Sequence, residues 1–357
     1  MQYLPVIKIV VLTTAAFVFS MLWTPLLTHF LYKYKCWKKT VRTVAPDGSA
    51  TPIFSQLHKD KETNVPRMGG LLVWVTTLIF SFVFMIFCPI FSTCSWFTNL
   101  NFLNRAETWL PLFTLISASL IGLLDDILVV KGFGEKGKGG GIRFRHRLLL
   151  VAIIGFVGAW WFYYKLGWDV LHIPFDGSLV LGWTFIPFFV AVMLAMFSTS
   201  VTDGLDGLAG GLFATMFVAF GAIAFASGKF NLAAFCGVIA GTLLAFLWFN
   251  IPPARFYLGE TGILGLTTTL AVVAFLTNSV LLLPVIAFVP LLESVSVIIQ
   301  LFSKRLRGGK KVFFSTPIHH HFQAIGWPEY KVVMRFWLIG GVTAVVGVVL
   351  FLIDKTF

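Results

Sequence analysis

FSTSVTDGLDGLAGG, residues 197–211, is the stretch from which the fold and the function of this chain are inferred. It places two carboxylates, Asp203 and Asp206, three residues apart, each followed by a glycine, between long apolar runs. An unpaired carboxylate is costly in lipid, so such a residue normally faces a water-filled cavity or a partner. Asp-Gly is also a common turn dipeptide. Taken alone, the stretch fits either a site at the bilayer surface or a polar turn between two helices.

The composition indicates a membrane protein. Of the 357 residues, 58% are hydrophobic and 12% are charged, with a mean hydropathy of +0.89. A soluble domain cannot bury that much apolar surface, and a membrane span needs about 20 apolar residues. Ten windows qualify: 6–32, 69–91, 109–130, 147–165, 184–201, 208–227, 231–249, 262–280, 282–303 and 332–353. We therefore predict an all-α, polytopic membrane protein of about ten transmembrane helices, forming one membrane-embedded domain over residues 1–357.

The loop charges predict an orientation. Twenty-two lysines and arginines lie in 33–67, 131–147, 304–335 and at Arg255, whereas the alternate loops and the ends hold five. The positive-inside rule places the first set in the cytoplasm and both termini outside. The net charge of +12 is accordingly interpreted as topology and as lipid or anion contact, not as nucleic-acid binding. One outer segment, 168–183, is predicted to be a small β-hairpin because apolar arms flank Asp176-Gly177.

The polar residues that could take part in catalysis or binding all fall on the predicted cytoplasmic side. They are Asp125, Asp126, Asp203, Asp206, Asn250, Glu260, His319, His320 and His321. A transporter pathway would instead place ionisable residues near the bilayer midplane, where Glu293 is the main candidate. Several carboxylates beside a basic rim suit Mg²⁺ bound to phosphates, with lysines, arginines and histidines holding the remaining oxygens.

Each of these residues also has an ordinary structural explanation. The aspartate pair 125–126 fits the polar end of a helix, and the histidine run fits a solvated segment. Glu260 fits a first-turn acid that interacts with the helix dipole. Gln300, Asn250 and Glu293 fit polar residues that pack helices together. The concentration of all of them at one membrane face favours a site.

Five motifs occur in one order: PRMGGLLVW, GLLDDILVV, TDGLDGLAGG, FNIPPARFYLGETG and PIHHHFQAIGWPE. In this order they resemble the phospho-N-acetylmuramoyl-pentapeptide-transferase family, a branch of the polyprenyl-phosphate N-acetylhexosamine-1-phosphate transferases. The resemblance covers essentially the whole chain. The PIHHHF and GWPE segments favour the muramoyl-pentapeptide branch over branches that use UDP-N-acetylglucosamine.

The resemblance implies a reaction and a location. UDP-N-acetylmuramoyl-pentapeptide and undecaprenyl phosphate would give lipid I and UMP, with Mg²⁺, at the inner face of the bacterial cytoplasmic membrane. This is the first membrane step of peptidoglycan synthesis. The resemblance also implies two further partners: membrane lipids and a second copy of the chain in a homodimer. Two alternatives stay open: transfer of another hexosamine 1-phosphate from its UDP donor, and a non-catalytic transporter or lipid-binding relative.

The resemblance also implies site residues. Asp125 and Asp126 would lie beside the metal and the lipid phosphate, with Asp125 as the base, and Asp203 and His319 would be catalytic. Glu260, with Asp125, would hold the metal. The implied substrate-binding residues are Lys61, Ser200, Gly204, Leu205, Asp206, Asn250, Tyr257, Gln300, His320 and His321.

Three positions depart from the family pattern. Glu260 stands where the family has the aspartate of an MGD motif, Ser200 where it has asparagine, and Arg67 where it has threonine. Tyr257 also matches a position that is commonly phenylalanine. The longer Glu260 side chain moves its carboxylate by about 1.5 Å relative to an aspartate, so the departures concern the metal site more than the class of reaction.

Overall fold

The structure, a computed structural model, describes residues 3–39, 63–90, 99–133 and 140–356. Within these ranges it is a bundle of helices with one short hairpin. The first eight helices are α1 (Leu4–Lys33), α2 (Leu71–Ile90), α3 (Trp109–Lys131), α4 (Phe144–Trp160), α5 (Phe185–Ser198), α6 (Leu208–Ala226), α7 (Phe230–Asn250) and α8 (Glu260–Leu276). They are followed by α9 (Leu283–Ile286), α10 (Phe288–Leu306), α11 (Ile318–Ala324) and α12 (Glu329–Asp354).

The predicted all-α membrane architecture is confirmed. Seven helices in the described part of the chain are long and apolar enough to span a membrane, or eight if the pair Val280–Ile286 and Phe288–Leu306 is one span. That pair is bent by 81°, so the ninth predicted window is not one straight helix. The second and eighth windows correspond to the shorter apolar helices Leu71–Phe87 and Glu260–Leu276.

The core of the bundle is formed by α8, α7 and α6. Every residue of α8 after Glu260 is buried, and α3 packs along it. α6 packs on α7, and α1 on the other side of α7. In contrast, only 17% of the most apolar window of α1 and 22% of that of α12 is buried, so their remaining apolar surface faces lipid.

The predicted hairpin is present. Strands β1 (Val170–Ile173) and β2 (Gly177–Val180) pair antiparallel, with Leu171 opposite Leu179. The hairpin is joined to the end of α12, where His172 Nε2 lies 2.5 Å from Asp354 Oδ2 and the Phe175 N–H donates to Oδ1. It therefore fastens the last helix to the bundle.

Candidate functional site

The acidic end of α3 meets the first turn of α8. Gly122 makes this possible, because a Cβ there would lie 2.0 Å from the carbonyl oxygen of Glu260. One turn further along α3, the Asp126 carboxylate accepts the Thr261 N–H at 2.9 Å. The close helix crossing thus brings the aspartate pair and Glu260 into one cluster.

Two backbone segments next to this crossing, 66–70 and 257–258, are hydrogen-bonded to each other. The Tyr257 N–H donates to Pro66 O, and the Gly69 and Gly70 N–H groups donate to Tyr257 O and Leu258 O, all at 2.8 Å. The PRMGG segment is therefore held along the segment that precedes α8. This pairing positions Arg67 beside the aspartates.

Arg67 pairs with a fully buried carboxylate. Its Nε donates to Asp126 Oδ1 at 2.9 Å, and the Asp126 side chain is 0% exposed. Burial alone would lower the pKa of Arg67, but attraction to Asp126, Glu260 and Asp203 raises that pKa above its ordinary value. Because Thr261 and Arg67 occupy both oxygens of Asp126, this side chain acts as a fixed counter-ion within the cluster.

Arg147, from the first turn of α4, joins the other two carboxylates. Its Nη1 lies 2.5 Å from Glu260 Oε1 and 3.8 Å from Asp125 Oδ2. Asp125 Oδ1 accepts the Ile142 N–H at 2.5 Å. The second oxygen of Glu260 is buried and makes no hydrogen bond. The sequence analysis treated Arg147 only as a loop charge. Its position directly after GIRFRH, at the start of a span, was the feature that could have marked it as a site residue.

The DGLDG segment reaches the same cluster through Asp203. Its Oδ2 accepts the Gly259 N–H at 3.0 Å. Burial raises the pKa of the Asp203 carboxyl to about 6, with Arg67 acting in the opposite direction. Asp203 therefore completes a group of four carboxylates, with Asp125, Asp126 and Glu260, around two guanidinium groups.

Asp206, three residues on, is held by the protein. Its Oδ2 accepts the Ala254 N–H at 3.2 Å, and its own N–H donates to Glu329 Oε1 at 2.9 Å. Leu205 beside it is 5% exposed. Glu329, from the GWPE segment, was not singled out in the sequence as a site residue.

Asn250 links this segment to the loop after α7. Its Oδ1 accepts the Gly207 N–H at 2.9 Å, and its Nδ2 donates to Phe256 O at 2.8 Å. Tyr257 is half-buried within the same loop. The structure thus gives Asn250 a role in joining two loops, in addition to the nucleoside contact that the resemblance implies.

Gln300 likewise holds a loop. Its Oε1 accepts the N–H groups of Val312 and Phe313 at 2.9 and 3.0 Å, and its Nε2 donates to Phe313 O at 2.9 Å. These bonds fix the segment that leads to the histidine run. Its amide is therefore engaged by the backbone, and its implied substrate contact stays a prediction.

The three histidines point to different partners. His319 is fully buried, with Nδ1 2.9 Å from Glu293 Oε1. His320 Nδ1 lies 2.9 Å from Gln323 Oε1. The His321 ring stacks on Phe314. Ser200 lies in the 3₁₀ turn Thr199–Thr202 just before Asp203, and Lys61 lies outside the described residues.

The carboxylate oxygens of the cluster suit an open Mg²⁺ site. When all four carboxyl groups are ionised, their charge exceeds that of the two guanidinium groups by two, which matches one divalent cation. Glu260 also offers a buried oxygen without a hydrogen bond. In the described part of the chain, no group of three or more His, Cys, Asp or Glu side chains is arranged so that it could hold a metal ion by itself. Mg²⁺ needs none, since it usually takes one or two carboxylates with substrate phosphates and waters.

Comparison with known proteins gives the family of the chain. The profile described as Glycosyl transferase family 4 matches residues 108–278, which carry Asp125, Asp203 and Glu260. A phospho-N-acetylmuramoyl-pentapeptide-transferase of Chloroflexus aggregans is 34% identical over 97% of this chain and 90% of its own length. The chain belongs to this transferase family. Enzymes of the same name from Listeria innocua and Geobacillus thermodenitrificans are 35% and 33% identical, over 93% and 95% of this chain and 95% and 97% of their own lengths.

Proposed function

We propose that this protein transfers phospho-N-acetylmuramoyl-pentapeptide from its UDP donor to undecaprenyl phosphate, giving lipid I and UMP. The observation that carries the proposal is the convergence of Asp125, Asp126, Asp203 and Glu260 on Arg67 and Arg147. A cluster of this kind, at the ends of spans, is suited to a reaction between a charged nucleotide and a lipid phosphate.

In the proposed chemistry, an oxygen of the lipid phosphate attacks the β-phosphorus of the donor. The new bond is phosphorus to oxygen, and the bond between the β-phosphorus and the bridging oxygen of the α-phosphate breaks, so UMP leaves. Asp125 takes the proton from the attacking phosphate, while Arg147 stabilises the ionised form of that carboxyl at 3.8 Å. Mg²⁺, when held by Glu260 and Asp125, would neutralise charge on the leaving phosphate.

The remaining residues position these groups. Asp126 fixes Arg67 near the cluster, and the Gly259 N–H orients Asp203. The DGLDG loop, tied to Asn250 and Glu329, provides a polar rim for the nucleoside. This division of work follows the rule that phosphoryl transfer depends mainly on positioning and charge stabilisation.

The proposal places the site at the cytoplasmic face of the bacterial cytoplasmic membrane. The support is the excess of lysine and arginine in the loops on the site side of the spans. The homodimer that the resemblance implies also remains part of the proposal. Light scattering of the detergent-solubilised protein, corrected for detergent, tests it by mass.

The test is UMP release by the purified protein with undecaprenyl phosphate, Mg²⁺ and one of two donors, UDP-N-acetylmuramoyl-pentapeptide or UDP-N-acetylglucosamine. Release with the muramoyl donor alone supports the proposal, and the mass of the lipid product identifies the transferred group. Release with the second donor alone keeps the mechanism and changes the substrate. No release from folded protein with either donor contradicts the proposal.

Variants separate the site from the scaffold. Asp125→Asn should abolish turnover while the protein stays folded. Asp169→Asn is the matched control, because in the described contacts Asp169 uses its backbone carbonyl to accept from Leu181 and Gly182, in the hairpin far from the cluster along the chain. Near-normal turnover of Asp125→Asn would remove Asp125 from the mechanism.

A further inference from the structure

A buried carboxylate on α10 is not used by the chemistry above. Glu293 is 0% exposed and lies five residues past the start of α10, the bent half of the ninth predicted span. An ionisable side chain in such a place is costly unless it serves a partner. Its partner is His319, whose side chain is also 0% exposed.

The contact between the two side chains is specific to one ring nitrogen. His319 Nδ1 lies 2.9 Å from Glu293 Oε1. The two atoms lie within ion-pair distance, although their arrangement is not that of a hydrogen bond. A carboxylate this close still favours the form in which Nδ1 carries the proton. The His320 ring packs edge-on against His319, with ring centroids 4.1 Å apart.

The other ring nitrogen faces the DGLDG segment. A Cβ at Gly204 would lie 2.4 Å from His319 Nε2, so the imidazole rests against the backbone directly after Asp203. The Thr202 side chain lies beside the Glu293 carboxylate, and α10 packs on the 3₁₀ turn that contains Thr202. A continuous series of contacts therefore runs from α10 through His319 to the loop that carries Asp203.

We propose that Glu293 is a positioning residue for the transfer reaction, which holds His319 with Nδ1 protonated and Nε2 directed at the Gly204 turn. The inference rests on the proposed function, because His319 is the group through which Glu293 acts. Loss of the group that orients a metal-bound histidine typically costs about 10- to 100-fold in metal affinity or activity, and we expect a loss of the same order in kcat here.

The kinetic test is a double-mutant cycle in UMP release. Glu293→Gln, which keeps the size of the side chain, should lower kcat by about 10- to 100-fold with a smaller change in KM. In the His319→Ala background the same substitution should change kcat by less than about twofold, because its target is gone. Ser294→Ala is the matched control: this serine is buried on the same helix and donates to Pro290 O.

Two kinetic outcomes would overturn the proposal. One is a full loss of kcat on Glu293→Gln in both backgrounds together with a lowered unfolding temperature, which indicates a purely structural role. The other is a turnover number equal to that of Ser294→Ala.

A second measurement does not depend on turnover. Nitrogen-15 spectra of histidine-labelled protein, with His319→Ala used for assignment, should show His319 protonated at Nδ1 and should change on Glu293→Gln. An unchanged His319 signal in the variant contradicts the proposal, even if no donor is turned over. Failure of the proposed function would instead appear as absent UMP release from the wild-type protein with an intact Nδ1 signal.

Discussion

Gly122 sets the distance between α3 and α8, and enlarging it should damage the reaction more than the fold. In Gly122→Ala the new Cβ would stand 2.0 Å from Glu260 O, 2.4 Å from its carbonyl carbon and 2.7 Å from Thr261 N. Ordinary contact begins near 3.4 Å, so the helices must separate by roughly 1.4 Å at this level. Backbone atoms cannot swing away as a flexible side chain would.

The expected cost can be divided between stability and rate. Overpacking of this kind destabilises by about 1–3 kcal/mol, partly offset by the higher helix propensity of alanine, about 1 kcal/mol. The separation also moves the Asp125–Asp126 pair away from Glu260 and Thr261. A misplacement of about 1 Å can cost 100-fold in turnover, so we expect kcat to fall by about that factor.

The assay pairs UMP release with thermal unfolding in detergent. Gly341→Ala is the control, because Gly341 is also helical and a Cβ there meets nothing within 4 Å. It should retain full turnover and equal or greater stability. If Gly122→Ala turns over within about twofold of that control, the helix crossing does not set the geometry of the site.

Three further predictions concern charge. Arg67→Gln leaves Asp126 buried without its cation and should destabilise the protein by about 3–5 kcal/mol, seen as a lower unfolding temperature; an unchanged temperature would show that the pair is not needed. The pKa of Asp203, raised to about 6, means that the folded protein binds this proton more tightly than the unfolded chain. In metal-free protein the unfolding free energy should therefore fall by up to about 3 kcal/mol between about pH 4 and 6, and Asp203→Asn should lose that slope; a slope kept in the variant would assign it to other groups. His172→Ala removes the partner of Asp354 at the hairpin and should lower stability by about 1 kcal/mol or less with normal turnover, whereas loss of turnover would link the hairpin to the site.

Much of the fold follows from local sequence properties. Apolar length predicted where helices lie, and the Asp176-Gly177 turn predicted the hairpin, because both signals depend on a few neighbouring residues. The 81° bend before Phe288 was not predicted. Pro284 and Pro290 flank the break, and a proline removes a backbone N–H and clashes with the carbonyl four residues earlier. The sequence therefore carried a signal for the break that the length of the apolar run did not use.

The candidate site was only partly predictable for a similar reason. The aspartates and Glu260 stand out because acids are rare in apolar sequence. Arg147 was hidden among the loop cations, and Arg67 was noted only as a departure from the family pattern. Only the fold shows that both face carboxylates. Glu329 was equally hidden, since its partner is a backbone N–H 123 residues away.

The amide of Asn250 bears on how the loops of this family can change. One side chain joins the turn after Asp206 to the loop before Tyr257, and Glu329 joins that turn to the last helix. Loops connected in this way are ordered before a donor arrives, so binding need not supply their ordering entropy. The three segments must therefore change together. A chimera that takes its DGLDG segment from a relative should be active only if the segments around Asn250 and Glu329 come from the same relative.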